Sequence, residues 1–226
     1  MYKYVPGKLR RFFTRYKAIV YKKGEIILRP EDEPQGVYYI KEGFVKLSTI
    51  LEDGKELTLN IYKPGTYFPM MWAIGGISNS YYFQTQITTF IHKAPKQEVL
   101  SFLKKNPDVF FELTRRILVG LDGILTNIEH MLCGNSYSRV ACAIYLSAKR
   151  FGKNPEKDKV IIKLPLTHQD IANIAGISRE TASIAIKKLE KKKIISCKHH
   201  IFIVNAKKLE KEALISKKEK SGPYAA

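Results

Sequence analysis

Residues 166–190 read LTHQDIANIAGISRETASIAIKKLE, and their pattern is the most informative in the chain. Thr167 can cap a first short helix, and Gly176 stands where the chain must leave that helix. Ser178 can cap a second helix, which we expect to run over residues 179–192. Two short helices joined by a glycine-containing turn of about three residues predict a helix-turn-helix.

The positions of the small and apolar residues support this prediction. In the second helix we expect four buried residues: Ala182, Ala185, Ile186 and Leu189. Further along the chain, residues 193–197 and 201–204 alternate in polarity around a polar tip at residues 198–200. Such a pair of runs is typical of a β-hairpin. The C-terminal part of the chain is therefore predicted to be a winged helix-turn-helix.

The pattern before this part is that of short strands, from about residue 18 to residue 96. Runs rich in β-branched and aromatic residues are separated by turn residues, among them Asp53-Gly54 and Pro64-Gly65. The spacing predicts a small antiparallel barrel of the jelly-roll type. The fold class is thus α+β, with an N-terminal antiparallel β-roll.

A long helix is predicted to begin at Asn106-Pro107, with Asn106 as its cap. Apolar residues then recur at spacings of three and four: Phe110, Leu113, Ile117, Leu121, Ile124, Ile128 and Met131. One interpretation is an amphipathic helix that packs on its own domain. We favour the other, a coiled coil between two chains, because the apolar stripe is narrow and sustained over about three heptads. The chain is then a homodimer.

The boundary between the two parts is predicted at Gly134-Asn135, among small and capping residues. Residues 1–134 would form the β-roll domain, with a dimerisation helix over about 106–133, and residues 135–226 the winged-helix domain. The first part carries 19 basic and 13 acidic residues, whereas the shorter second part carries 20 and 8. This excess of positive charge indicates an anionic partner. We expect residues 153–159 to form a polar loop and residues 217–226 a loose tail.

Composition excludes several classes of protein. With 45% apolar residues the chain of 226 residues is not wholly disordered, and no apolar run is long enough for a membrane helix. No signal peptide is apparent, so we expect a cytoplasmic protein without a membrane partner. The three cysteines lack a metal-binding spacing and are predicted to be reduced: Cys133, Cys142 and Cys197. A jelly-roll metalloenzyme needs clustered ligands that His92 alone cannot supply, so no catalytic residues, no metal site and no enzyme are expected.

On these features the chain resembles the CRP/FNR family of bacterial transcription regulators. The order of β-roll, long helix, hinge and winged helix is that of the family. Residues 177–183, ISRETAS, are similar to the family's SRETV pattern, and residues 166–172 are similar to its preceding helix. The resemblance implies a homodimer that binds a pseudo-palindromic double-stranded DNA site, with RNA polymerase as a further candidate partner.

The resemblance also implies roles for individual residues. Base contacts are expected from three side chains of the second helix: Arg179, Glu180 and Ser183. Phosphate contacts, which set register without reading sequence, are expected from four: Thr167, His168, Thr181 and Lys187. Arginine suits the O6/N7 edge of guanine, and glutamate suits the amino group of cytosine. One position departs from the family, because Ile184 stands where a second base-contacting arginine is usual, and the family's consensus half-site cannot be assumed.

The sensor half matches the family less well. Alignment of the cyclic-nucleotide cassette puts Met70, Ser80 and Tyr81 where a glutamate, an arginine and a serine hold the ribose and the cyclic phosphate. A serine cannot replace the charge-assisted bonds of that arginine. The polar pair that receives adenine in cyclic-AMP-binding members falls at Ile124 and Leu125. Cyclic AMP is therefore not expected as the effector.

Other known effectors lack motifs as well. The N-terminal thiolates that hold the iron–sulfur cluster in FNR have no counterpart here, and His92 is the only histidine of the predicted barrel that could bind haem. The cofactor is left unknown. An effector pocket, if one exists, is expected among these residues: Phe68, Met70, Trp72, Ser80, Tyr81, Ile124 and Leu125. The alternative is that the apolar segment around Trp72 simply fills the barrel.

The sequence thus predicts a homodimeric, sequence-specific DNA-binding regulator. A rival hypothesis is a sensor or protein-interaction module whose winged helix contacts protein and not DNA.

Overall fold

The computed structural model of the protein describes residues 5–132, 134–156 and 158–213. These residues divide into two compact units. The first comprises the described residues up to 54 together with residues 58–121, and the second comprises residues 55–57 and the described residues from 122 onward. The predicted tail over residues 217–226 lies outside the described residues, as does Cys133.

The first unit is built on two four-stranded antiparallel sheets. One has the strand order β1-β8-β3-β6 and the other the order β2-β7-β4-β5. The strands are β1 (Ala18–Tyr21), β2 (Ile26–Leu28), β3 (Val37–Glu42), β4 (Val45–Ile50), β5 (Glu56–Tyr62), β6 (Tyr67–Phe68), β7 (Tyr82–Thr85) and β8 (Thr89–Ala94). Four helices accompany them: α1 (Val5–Phe13), α2 (Met70–Gly75), α3 (Lys96–Lys105) and α4 (Pro107–Leu132), of which α4 continues into the second unit.

Strand β3 separates two apolar cores, because successive side chains of a strand point to opposite faces. Tyr38 and Ile40 belong to a core that also contains Phe68 and Phe83. Val37 and Tyr39, the alternate residues, belong to a core formed with the helices of the first unit. The barrel is therefore apolar on both faces of this sheet, and its helices cover the outer one.

The helices of this unit were only partly predicted. The sequence pattern indicated strands up to about residue 96 and a helix from Asn106, whereas α3 already begins at Lys96. Asn106 lies between α3 and α4, and its side-chain amide donates to the Phe102 carbonyl at 2.8 Å, so it closes α3. The apolar segment around Trp72 is helical in part, as α2.

The apolar side chains of α4 are partly buried in the first unit and partly exposed. Leu113 is only 5% exposed and packs in the core of its own unit. Several other apolar side chains of α4 are exposed: Phe110, Phe111, Ile117, Leu118, Leu121, Leu125 and Ile128. One side of the helix therefore packs on its own unit and a second apolar side is uncovered, and the coiled coil between two chains stays a prediction.

The second unit combines four helices with a four-stranded antiparallel sheet of order β11-β12-β10-β9. Its elements are α5 (Ser136–Phe151), β9 (Gly152–Glu156), β10 (Lys159–Ile162), α6 (His168–Ala175), α7 (Arg179–Lys191), β11 (Ile195–Lys198), β12 (Ile201–Asn205) and α8 (Ala206–Glu212), preceded by the last turns of α4.

The predicted polar loop over residues 153–159 was wrong, because most of it belongs to β9 and β10. Strand β9 lies at the edge of the sheet, where polar residues and a proline are tolerated. The predicted wing is correct in position, with β11 and β12 joined at His199-His200. It extends a larger sheet, however, because β12 also pairs with β10.

The α+β class, the antiparallel β-roll with its long helix and the C-terminal helix-turn-helix are all confirmed. The placing of the domain boundary at Gly134-Asn135 stays a prediction. Among the described residues, no helix is both long enough and apolar enough to cross a bilayer.

Gly152 is a position where a side chain cannot be accommodated. A Cβ atom there would overlap the Ala148 carbonyl oxygen and Val160 Cγ1. We expect Gly152→Ala to lower the free energy of unfolding by about 1–3 kcal/mol, because α5 and β10 must separate to relieve the overlap. Gly75→Ala is the control, since its nearest neighbour would be at an ordinary 3.5 Å. Thermal unfolding of both variants checks this, and equal stability would contradict it.

Candidate DNA-binding site

Helix α6 is set by local capping at both ends. The Thr167 side chain accepts a hydrogen bond from the Asp170 amide, and the Asp170 carboxylate accepts one from the Thr167 amide at 2.8 Å, which completes a capping box. The helix ends at Gly176, whose φ of 61° lies in the left-handed region. These features confirm the predicted start and end of the helix.

Helix α7 begins at the predicted cap, Ser178, whose hydroxyl accepts from the Thr181 amide at 3.2 Å. Its buried residues are the four that the sequence pattern predicted: Ala182, Ala185, Ile186 and Leu189. They form one face of the helix, which packs within the second unit. The opposite face is left to solvent, and it is this face that can enter a groove of a partner.

The exposed face of α7 is mostly charged. It presents six exposed side chains: Arg179, Glu180, Ile184, Lys187, Lys188 and Lys191. Five of them are charged, and four are cationic. The aliphatic member, Ile184, is 70% exposed. A positively charged helix surface of this kind is complementary to the negative charge of a nucleic-acid backbone.

Glu180 is held at the start of α7 as an ionised carboxylate. Its own backbone amide, then the Ser178 side chain, hydrogen-bond to the carboxylate and lower the pKa of Glu180, and Arg179 adds a favourable charge. An acidic group in the first turn also interacts well with the helix dipole. The carboxylate therefore stays an acceptor at neutral pH, as is required to bind an amino group of a base.

Two of the predicted contact residues are bound to each other. His168 Nδ1 and Ser183 Oγ lie 2.9 Å apart, so the first residue of α6 is linked to the middle of α7. Which group donates depends on the tautomer of the imidazole ring. In either case one hydrogen-bonding function of the Ser183 hydroxyl is used within the protein, and the hydroxyl is fixed in direction.

The two threonines that were predicted to contact phosphate are likewise engaged. Thr167 Oγ1 lies 2.6 Å from the Asp170 carboxylate, and Thr181 Oγ1 lies 3.0 Å from Ser178 Oγ. Both hydroxyls therefore already form hydrogen bonds at the starts of α6 and α7. Lys187, by contrast, is exposed on the outer face of α7.

Arg139 of α5 holds the turn between α6 and α7, and sequence reasoning missed it. Its guanidinium donates to the Ala175 carbonyl at 3.1 and 2.7 Å and to the Gly176 carbonyl at 2.7 Å. The last carbonyls of a helix lack partners within that helix, so a charged donor here stabilises its end. The glycine end of α6 was a signal that such a donor was needed.

The C-terminal end of α7 is held by another residue of α5. The ammonium groups of Lys188 and Lys192 lie 4.7 and 5.0 Å from the centre of the Tyr137 ring. Lys192 also forms an ion pair with Glu212 of α8 at 2.8 Å. Tyr137 and Arg139, both in the first turn of α5, therefore contact the C-terminal end of α7 and the turn that precedes α7.

The wing ends in an unusual turn. His199 and His200 both have positive φ, 50° and 64°, and they are the two central residues between the paired strands. Positive φ at both positions defines a type I′ turn, whose twist suits a hairpin. The His200 carbonyl accepts from the Leu166 amide at 2.8 Å, which connects the wing to the entry of α6.

The residues predicted to line an effector pocket do not form one set in the first unit. Phe68 and Tyr81 belong to the core between the sheets, whereas Met70 and Trp72 belong to the core beneath the helices. Trp72 Nε1 donates to Glu33 at 2.9 Å, and Ser80 is exposed. In the second unit, Ile124 is half-buried and Leu125 exposed on α4. The effector pocket stays a prediction.

His92, considered above as a haem ligand, and the cysteines predicted to be reduced are placed as follows. His92 is buried, and its Nδ1 lies 2.6 Å from the Tyr16 carbonyl. Cys142 is buried, and Cys197 is half-buried, where burial raises the pKa of its thiol. Within residues 5–132, 134–156 and 158–213, no three His, Cys, Asp or Glu side chains are grouped as a metal site requires.

A helix-turn-helix with an exposed basic second helix and a hairpin wing defines a DNA-binding protein of the winged-helix class. Comparison with known families agrees. The family model "Cyclic nucleotide-binding domain" matches residues 18–106, and the model "Crp-like helix-turn-helix domain" matches residues 138–212. Together the two models match well over half of the chain. The chain belongs to the CRP/FNR family, and it is a transcription regulator of that type.

Individual relatives support this assignment. The chain is 29% identical over 182 residues to the global nitrogen regulator of Nostoc sp., with 78% of this chain and 79% of that protein covered. It is 26% identical over 214 residues to the fumarate and nitrate reduction regulatory protein of Vibrio cholerae, covering 94% and 84%. The solved structure of FixK2 from Bradyrhizobium japonicum has the same fold, with a TM-score of 0.74 at 21% identity over 89% of this chain and 98% of that one.

We expect Arg139→Met to destabilise the second unit by about 1–3 kcal/mol. The substitution removes three hydrogen bonds and leaves two carbonyls at the turn without a charged donor. Amide hydrogen exchange of α6 and α7 would then be faster than in the wild type. Lys149→Met is the control, because Lys149 is an exposed cation on the same helix and its loss should cost about 0.5 kcal/mol. Equal exchange in the two variants would contradict the assigned role of Arg139.

Proposed function

We propose that the protein binds a pseudo-palindromic DNA site as a homodimer, with α7 of each subunit in the major groove. The observation that supports this most directly is the outer face of α7, which is exposed, cationic and opposite to the buried face. Two such helices about 34 Å apart would occupy successive major grooves on one side of the duplex. The protein then acts by binding, without catalysis, and in the cytoplasm, where bacterial DNA lies.

Two residues in the first turn of α7 carry the proposed reading of sequence. Arg179 is exposed and can donate two hydrogen bonds to the O6/N7 edge of guanine. Glu180 is ionised and can accept from the amino group of cytosine. Ser183 is a third base contact, with its hydroxyl directed by His168.

Phosphate contacts supply affinity and register. Lys187 is suited to this role because it is an exposed cation one turn beyond Ser183. Thr167, His168 and Thr181 can contribute from the starts of the two helices, where backbone amides also point outward. The formal charge of +18 favours association with any duplex at low salt.

The dimer is proposed to form through α4. Leu118 and Leu125 are 58% and 52% exposed, and Leu121 lies between them on the same side of the helix. Apolar residues at alternating spacings of three and four are those that a left-handed coiled coil buries. A second copy of α4 is a partner with the matching pattern, and a closed two-fold pairing would cover both stripes at once.

The effector is proposed to be something other than cyclic AMP. Met70 is buried and offers no carboxylate, and the exposed Ser80 offers no guanidinium. A cyclic phosphate taken from water into this unit would therefore lack its usual charge-assisted partner at these positions.

The roles of Arg179 and Lys187 can be separated by measurement. We expect Arg179→Ala to weaken binding to the selected DNA site by about 1–3 kcal/mol and to relax preference at one base pair. We expect Lys187→Ala to weaken binding to all sequences alike and to reduce the slope of log K against log salt by about one. The site is first selected from randomised duplex, and affinities are then measured on that site and on random DNA over a range of salt.

Two outcomes would contradict the proposal. If Arg179→Ala lost affinity equally on selected and random DNA, Arg179 would be a backbone contact and not a base contact. If the wild-type protein failed to bind any duplex at low salt, the rival hypothesis of a protein-interaction module would replace DNA binding.

The dimer has its own test. We expect the double variant Leu118→Glu, Leu125→Glu to sediment as a monomer and to lose selective DNA binding, because two like charges would face each other across the pair. Ile50→Glu is the control, since Ile50 is 50% exposed but lies on β4. Sedimentation velocity on wild type and both variants decides. A wild-type monomer at micromolar concentration would overturn the proposed dimer.

A further inference from the structure

Ile184 is the most exposed of the large apolar side chains in the described part of the chain, at 70%. It lies on α7 on the side away from the four buried residues of that helix. Its neighbours on the same face, one turn before and one turn after, are Glu180 and Lys187. An aliphatic group is thus placed at the outermost point of an otherwise charged surface.

Packing within the protein does not account for this isoleucine. Isoleucine is β-branched and is a weaker helix former than the lysine or alanine that would suit an exposed position. A single exposed apolar residue is common on protein surfaces. This one, however, is flanked by the residues proposed to contact bases and phosphates. In the proposed complex it therefore faces the major groove of DNA.

The major groove offers one apolar group to a side chain, the 5-methyl group of thymine. The other base edges present hydrogen-bond donors and acceptors, which an isoleucine cannot satisfy and would desolvate. Glu180 and Ile184 are four residues apart, and the rise of the helix separates them by about 6 Å. The two side chains can therefore reach different base pairs of one half-site.

We propose that Ile184 is a specificity-determining residue that recognises the 5-methyl group of a thymine in each half-site of the operator. This inference rests on the proposed DNA-binding function and adds to it a base that the charged residues do not select. The contact is attractive toward thymine, and it also disfavours guanine or cytosine at that position, whose polar edges would lose water without gaining a partner.

The test removes the methyl group and nothing else. Within the selected operator, each thymine in turn is replaced by deoxyuridine, which pairs with adenine in the same way. For the wild-type protein we expect one position per half-site at which the replacement weakens binding roughly fourfold, the value of one buried methyl-sized group. The other replacements should have little effect.

The same series is then measured with Ile184→Ala. We expect this variant to bind the thymine and deoxyuridine duplexes with equal affinity at that position, because the side chain that touches the methyl group is gone. Ile50→Ala, which removes an exposed isoleucine from β4, should retain the full dependence on the methyl group. Thermal unfolding midpoints of both variants should match the wild type, since both side chains are at least half exposed.

Three outcomes would overturn the inference, and they are distinguishable. If no deoxyuridine replacement weakens wild-type binding, Ile184 reads no methyl group, although selective DNA binding stands. If one thymine is sensitive to the replacement and Ile184→Ala shows the same sensitivity, another residue contacts that methyl group and Ile184 does not. If no sequence is selected at all, the proposed function itself fails and this inference fails with it.

Discussion

The orientation of α7, the proposed recognition helix, depends on the turn before it, which Arg139 holds by hydrogen bonds to the Ala175 and Gly176 carbonyls. A side chain can contact a base edge specifically only if its Cα atom is placed accurately. The angle between α6 and α7 determines that position for the residues of α7. Gly176 permits the left-handed turn, but a glycine turn alone is also flexible. The guanidinium restricts it by joining the last carbonyls of α6 to the first turn of α5. Hydrogen bonds from a charged donor are stronger than those between neutral groups, so these three bonds restrain the turn effectively.

The same first turn of α5 also supports the far end of α7 through Tyr137. The two lysines over that ring are partly neutralised by Glu212, so a cation-rich helix end is held against the body of its unit without uncompensated repulsion. Residues 137 and 139 directly follow the predicted hinge at Gly134-Asn135. A change in chain direction at that predicted hinge would move both Tyr137 and Arg139, and with them the C-terminal end of α7 and the turn before it. An effector could act through this connection only if it bound one conformation of the predicted hinge more tightly than another.

Features fixed by neighbouring residues could be predicted from the sequence, and features fixed by distant ones could not. Thr167, Ser178 and Gly176 act within one turn of themselves, so the caps, the turn and the four buried positions of α7 were predicted correctly. The strand character of residues 153–156 depends on pairing with β10, and the start of α3 depends on packing of Val99 and Leu103 against other helices. Arg139 was missed for the same reason, because its partners are 36 and 37 residues away in the chain.

The lysines of α7 and the carboxylate of Glu180 affect DNA binding in different ways. Lys187, Lys188 and Lys191 raise attraction to every phosphate, and on a chain of +18 they would by themselves favour indiscriminate binding. Glu180 opposes them, because an ionised carboxylate near the phosphates is repelled unless it finds a base amino group. Its pKa is lowered by local hydrogen bonds, so the group keeps its charge and the repulsion cannot be relieved by protonation at neutral pH. In the proposed complex, one anion among several cations would therefore reduce non-specific binding more than specific binding, and the ratio of the two is what decides occupancy in a genome.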